Sequence, residues 1–257
     1  MSNIMDQYRM ENSMGQAIVD GILQGYKDYL QERREKRQTM HISSAYAWTK
    51  GNHIDHNVAE SSKAFKFAKA RAGYTWGYLQ FGHEQTKSMF IIKNGKYFND
   101  QNFTKAKDII GNSSDKKQEN YLQRLATINK NVEFPVERDL LNQDNGVEFV
   151  SLLDPEILQE IEEPSYRQLV ERYNRFYVVT YEIDVDYVIS RIRLLMPNPS
   201  NGIAYDVQDL TDFISTSPVK FEEEDYETVI EEAKERDAMV DYGISFNIGK
   251  TKEGDQS

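Results

Sequence analysis

The sequence predicts an α+β fold of mixed antiparallel hairpins with packed helices and no parallel βαβ pattern. Strand-like runs come in neighbouring pairs: RFYVVTYEI (175–183) and YVISRIRLLM (187–196) are separated only by a DVD turn. Elsewhere apolar residues recur at helical spacing, in stretches that do not alternate regularly with the strands. The composition is globular, with 39% apolar residues and 12% aromatics, and 257 residues suffice to bury a core.

The first helix should begin at Ser13 as its N-cap and run to about Arg37. Met14, Ile18, Ile22 and Tyr26 fall four apart, and the basic run at its end suits the helix dipole. Gly21 and Gly25 either weaken this helix or let another backbone approach it. Residues 39–54 read as a loop, and a second helix is expected over 55–72. GYTWGYLQF and SMFII then read as strands joined by GHEQTK, and Asn94-Gly95 marks a tight turn. The polar segment 99–120 is followed by a short helix near 118–129. Pro155 opens and Pro164 closes another helix, and SYRQLVERYN allows one more. After the hairpin of 175–196, PNPSNG turns the chain into IAYDV. An acidic helix over 222–237 follows, and YGISFNI can close a sheet edge. The expected organisation is a basic helical and hairpin region (1–98), a connector (99–120), an acidic α+β region (121–248) and a polar tail (249–257), all within one domain or two.

Charge divides along the chain. Residues 1–130 hold 20 Lys and Arg against 13 Asp and Glu, while 131–257 hold 11 against 29, within a net charge of −11. Such asymmetry serves a polyanion or a basic partner, or else cancels inside one fold. With no cysteine there is no disulfide, thiolate nucleophile or zinc knuckle. No secretory pattern opens the chain and no apolar run is long enough to span a membrane, so a cytoplasmic setting is the simplest expectation.

Several residue groups bear on chemistry. Lys63, Lys66 and Lys69, three apart on the expected second helix, make a basic stripe. With Arg71 and Trp48 they form the candidate nucleic-acid surface, cations for phosphates and a ring for stacking. In the acidic helix, Glu231, Glu232 and Glu235 lie beyond the reach of the dipole and are candidates for a basic protein partner. His53, Asp55 and His56 form an alternative metal site, but the set lacks further ligands and reads better as a helix start. A restriction-type nuclease needs an acid and then Glu-x-Lys on a bent strand pair. The nearest match is Gln85-Thr86-Lys87, with Asp55 as a distant acid. Glu182, Asp184 and Asp186 are expected to pair with Arg191 and Arg193 across a hairpin. No phosphate loop, dinucleotide fingerprint or nucleophile elbow is present, and no cofactor is implied.

RFYVVTYEIDVDYVISRIRLLMPNP, with the earlier SMFIIKNGKYF hairpin, resembles an uncharacterised family of firmicutes and their phages. Its members look like toxin components found beside a metallopeptidase-linked repressor or antitoxin. The resemblance implies a toxin-like or phage-conflict role, acting on nucleic acid or a nucleic-acid-handling protein, with an antitoxin or a defence or replication protein as partner. It brings no catalytic motif. A metal-dependent nuclease and a DNA-mimicking inhibitor are the alternatives.

Overall fold

The strongest helical pattern becomes α1, Asn12–Thr39, in a computed structural model that describes residues 4–72, 76–107, 113–117, 120–135, 168 and 171–241. Glu11, not Ser13, is its cap residue, and no side chain caps the end. Ile18, Val19, Ile22, Leu23 and Tyr26 are buried along one face. The α2 helix, Lys50–Ser61, crosses that face. A methyl group on Gly21 would sit 2.7 Å from the Val58 Cα, and one on Gly25 would sit 2.5 Å from the Ile54 Cα. The two glycines therefore let the helix backbones touch.

The second helix is shorter than its sequence pattern suggests. It ends at Ser61, and Phe65–Ala72 form strand β1. The run FKFAKARA has strand alternation in its aromatic half, and pairing along its whole length with β2, Trp76–His83, decides the outcome. The β3 strand, Ser88–Asn94, follows, and β4 (Lys105–Lys107) and β5 (Ser113–Lys117) make a separate small hairpin. Helix α3, Asn120–Ala126, ends in a 3-10 turn. Strands β6 (Arg175–Ile183), β7 (Ile189–Pro197) and β8 (Ala204–Asp209) come next. They are followed by the short α4 (Asp212–Thr216) and the acidic α5 (Glu223–Asp241). The expected helix after Pro155 and the closing strand YGISFNI lie outside the described residues, as does half of SYRQLVERYN.

The main sheet has six strands in the order β1-β2-β3-β6-β7-β8. Every neighbouring pair is antiparallel except β3 and β6, which run parallel from Ser88↔Arg175 to Asn94↔Tyr181. This central pairing joins the basic first region to the acidic later one in a single sheet. The fold is thus α+β with a mixed, mostly antiparallel sheet.

Alternation along the strands sends successive side chains to opposite faces, and both faces are covered. Phe81, Phe90, Tyr177, Val179 and Leu194 pack under α1 and α2. Tyr78, Met89, Ile91, Phe176, Val178 and Leu195 pack against α3 and the buried Phe98 and Phe103. Asn129, fully buried, donates to the carbonyls of Phe176 and Pro197 and accepts the Phe176 N–H, clipping the α3 end to β6 and β7.

Candidate functional site

Between β2 and β3 the sheet splits. Their register holds only over Phe81↔Phe90, Gly82↔Met89 and His83↔Ser88, whereas β2 stays paired to β1 back to Trp76. From Gln80 back toward Trp76 the two strands diverge, leaving backbone groups of β2 without a β3 partner. The Asp55 carboxylate on α2 fills that role at Leu79, accepting its N–H at 2.9 Å. The opening is a cavity of about 360 Å³. Its wall comes from Gly77 and Tyr78 of β2 and Lys93 and Asn94 of β3, its floor from Lys50, Ile54 and Asp55, and its back from Tyr181. Trp48 and Tyr97 stand at the rim, 72% and 42% exposed.

Polar groups inside this wedge are held at unusual protonation equilibria. Burial pushes the Asp55 carboxyl up to about 6, against smaller opposing effects of the Leu79 N–H and the Lys93 charge. Burial, with repulsion from Arg33 and Lys96, pulls the Lys50 ammonium down to about 8. Lys50 has no carboxylate within 4 Å among the described residues; it lies over the Tyr29 and Tyr26 rings, 5.5 and 5.8 Å from their centroids. Burial, and then the charge of Asp55, raise the Tyr181 phenol far above its ordinary value, although the Asn94 side chain hydrogen-bonds it. Lys93 lies over Tyr121 and Tyr78. Convergent perturbed groups in a cavity of this size are what a ligand site requires.

The structure scatters most of the residues the sequence singles out. Lys63 precedes β1, while Lys66 and Lys69 stand opposite Gly82 and Leu79 in register and so face opposite sides of an edge strand. The expected single stripe does not form, because its residues sit on a strand and not on a helix. Lysines on an edge strand also deter pairing with another chain. Arg71 pairs with Gly77 in β1, its side chain outside the described residues. Trp48, by contrast, is exposed at the wedge.

The acidic helix turns inward to its own chain. Buried Arg33 pairs with Glu232, Arg37 reaches Glu231 and Glu232 at 3.4 and 4.0 Å, and Arg34 reaches Glu224 at 3.8 Å. Part of the charge asymmetry is thereby neutralised between α1 and α5. Glu231 and Glu232 consequently meet arginines of α1 and not open solvent alone, and the Glu235 side chain lies outside the described residues.

His53, Asp55 and His56 do not converge. His53 Nε2 lies 2.8 Å from Glu32, whose carboxyl it holds below its usual range, Asp55 turns to β2, and His56 is exposed. Among the described residues no group of three His, Cys, Asp or Glu could hold a metal. Gln85-Thr86-Lys87 sits in the β2–β3 turn at the paired end of the strands, away from Asp55. The lysine beside Asp55 is Lys93, and the residue two before it is the buried Ile91, not a carboxylate. One carboxylate does not fit a divalent cation site. Sequence reasoning missed Lys93 and Tyr181; Lys93 directly precedes the Asn94-Gly95 turn, but no local pattern tells which strands separate. Of the expected hairpin charge pairs only one is seen among the described residues, Arg193 with Glu182 at 3.5 Å. Arg193 also reaches Asp100 and Asp206, and Asp184 instead accepts the Asp186 and Val188 N–H groups.

The molecule is thus defined as an α+β protein with a mixed six-stranded sheet, helices on both faces and a polar wedge where the sheet opens. The chain belongs to DUF5986, a family of unknown function whose model matches residues 7–256. No curated protein matches it. No solved structure does either. Among the described residues no helix is long and apolar enough to cross a membrane.

Proposed function

We propose that this protein binds a nucleotide unit, free or within single-stranded nucleic acid, in the wedge between β2 and β3. The observation that carries the reading is an exposed tryptophan, Trp48, at the mouth of a cavity holding Lys50 and Lys93. An indole face stacks any base, and Lys50, with no carboxylate in ion-pair reach among the described residues, attracts phosphate. The volume suits a nucleoside-sized ligand. Nucleic-acid contact therefore moves from the lysines of β1 to the wedge. Together with the resemblance to toxin-like components, this supports a protein of genome conflict that acts by binding, its antitoxin or other protein partner meeting a surface other than the α1-paired glutamates. The single carboxylate weighs against a metal-dependent nuclease, and the internal pairing of α5 weighs against a DNA mimic. The test is fluorescence titration of Trp48 in a Trp76→Phe background, with mononucleotides and short single-stranded oligonucleotides. Saturable quenching, lost in Lys50→Met, is expected; absence of quenching at millimolar nucleotide and low salt overturns the proposal.

A further inference from the structure

We propose that Asp55 is the specificity-determining residue of the wedge and selects a guanine base by accepting its N1–H and N2 amino group. This rests on the nucleotide reading above. Asp55 stands on the cavity floor, between the Leu79 amide of β2 and the side chains of Lys93 from β3 and Tyr181 from β6. Only Oδ2 takes the backbone N–H, and no cation lies within ion-pair distance among the described residues. A carboxylate held this way needs further donors, because burying it without them is costly. A phosphate entering first would place like charges together at the floor. A base edge entering first brings donors to Asp55 and leaves the phosphate to the cations Lys50, which also lines the cavity, and Lys96, exposed beside Tyr97.

Among the bases, guanine presents two adjacent donors on one edge, and an ionised carboxylate accepts both. Adenine offers its N6 amino group beside the N1 acceptor, so its edge sets one lone pair against the carboxylate. Cytosine has the same flaw, and uracil has one donor between two carbonyls. Loss of a paired polar contact in a closed site discriminates strongly. Because Asp55 takes up its proton near pH 6, guanine recognition should fade as pH falls through that value. Tyr181 stays protonated throughout and Lys50 titrates near pH 8. The ligand phosphate also titrates at about pH 6, so the ratio of GMP to AMP affinity, in which the phosphate cancels, is what reads Asp55.

The experiment titrates Trp48 fluorescence, again in Trp76→Phe, with GMP, IMP, AMP, CMP and UMP. GMP should bind on the order of 10- to 100-fold more tightly than AMP at pH 7, with IMP between them. The preference should shrink toward pH 5 and vanish in Asp55→Asn, whose amide oxygen still accepts the Leu79 N–H and so keeps the fold. Equal quenching by all five nucleotides, unchanged in Asp55→Asn, overturns the guanine assignment while leaving nucleotide binding in place. No quenching by any of them removes both.

Discussion

Asp55 on α2 accepts the Leu79 N–H of β2 at 2.9 Å, and so does the work of a missing strand where β2 leaves β3. The contact satisfies a backbone donor but holds an acid half-buried against the sheet, which ties stability to pH.

Replacing Asp55 by Asn should stabilise the protein at neutral pH. The folded pKa of Asp55 is raised above its unfolded value, so the folded state favours the protonated form. Relative stability is fully present below the unfolded value and is lost as pH rises through about 6. Asn removes that loss, a gain of at most about 3 kcal/mol. Thermal melts should show Asp55→Asn above wild type at pH 8 and level with it near pH 4. A uniform destabilisation would mean that the carboxylate is better satisfied than its surroundings indicate.

Lys50→Met should trade binding for stability. Here the folded pKa is lowered, so the cost of burying the charge is full below about pH 8 and fades as pH rises toward the unfolded value. A thioether packs well against Tyr26 and Tyr29 and has no charge to desolvate. Melts at pH 7 should rise by several degrees while nucleotide quenching falls at least tenfold. Lower stability would show that the aromatic rings hold the cation favourably.

The α1–α5 contact should depend on one pair above all. Arg33 is 3% exposed, and removing Glu232 strands its buried guanidinium, at a cost of roughly 3 kcal/mol. Glu231→Ala, on the mostly exposed side of Arg37, should cost less than about 1 kcal/mol. Glu232→Lys should detach or unfold α5, so a triple reversal of Glu231, Glu232 and Glu235 does not leave the fold intact. Urea denaturation of the two single variants distinguishes them, and equal midpoints would contradict this ranking.

Gly25→Ala places a methyl group 2.5 Å from both the His53 carbonyl oxygen and the Ile54 Cα. Both obstacles are backbone, so α2 must shift, at about 1–3 kcal/mol. Because α2 carries Lys50 and Asp55, nucleotide affinity should fall together with stability. Unchanged melts and affinity would mean that the helices slide apart freely.

The fold class and the two strongest hairpin strands are legible in the sequence because alternation and turn chemistry are local. The close approach at Gly21 and Gly25 is one of the two readings the sequence leaves open, and only the packing against Val58 and Ile54 decides for it. The helix reading of 62–72 failed for a physical reason: Lys63, Lys66 and Lys69 fit a helical period, but β2 offers that stretch a full strand partner. The parallel pairing of β3 with β6 joins segments some eighty residues apart and leaves no local trace. The wedge depends on it, because β3 follows β6 where it parts from β2. Trp48 is legible as a candidate for stacking; that it lines one cavity with Lys50 and Lys93 is not.

The central claim is that the nucleotide lies in the wedge, and photolabelling reads its position directly. 8-Azido-GMP and 8-azido-AMP are irradiated with the full chain, and the labelled peptides are mapped by mass spectrometry. The account predicts labelling of peptides carrying Trp48 or Tyr97, suppressed by excess GMP and lost in Lys50→Met, with Lys63→Ala/Lys66→Ala/Lys69→Ala labelled as the wild type is. Labelling confined to β1 or to the α1–α5 face, or insensitive to competing nucleotide, would contradict it.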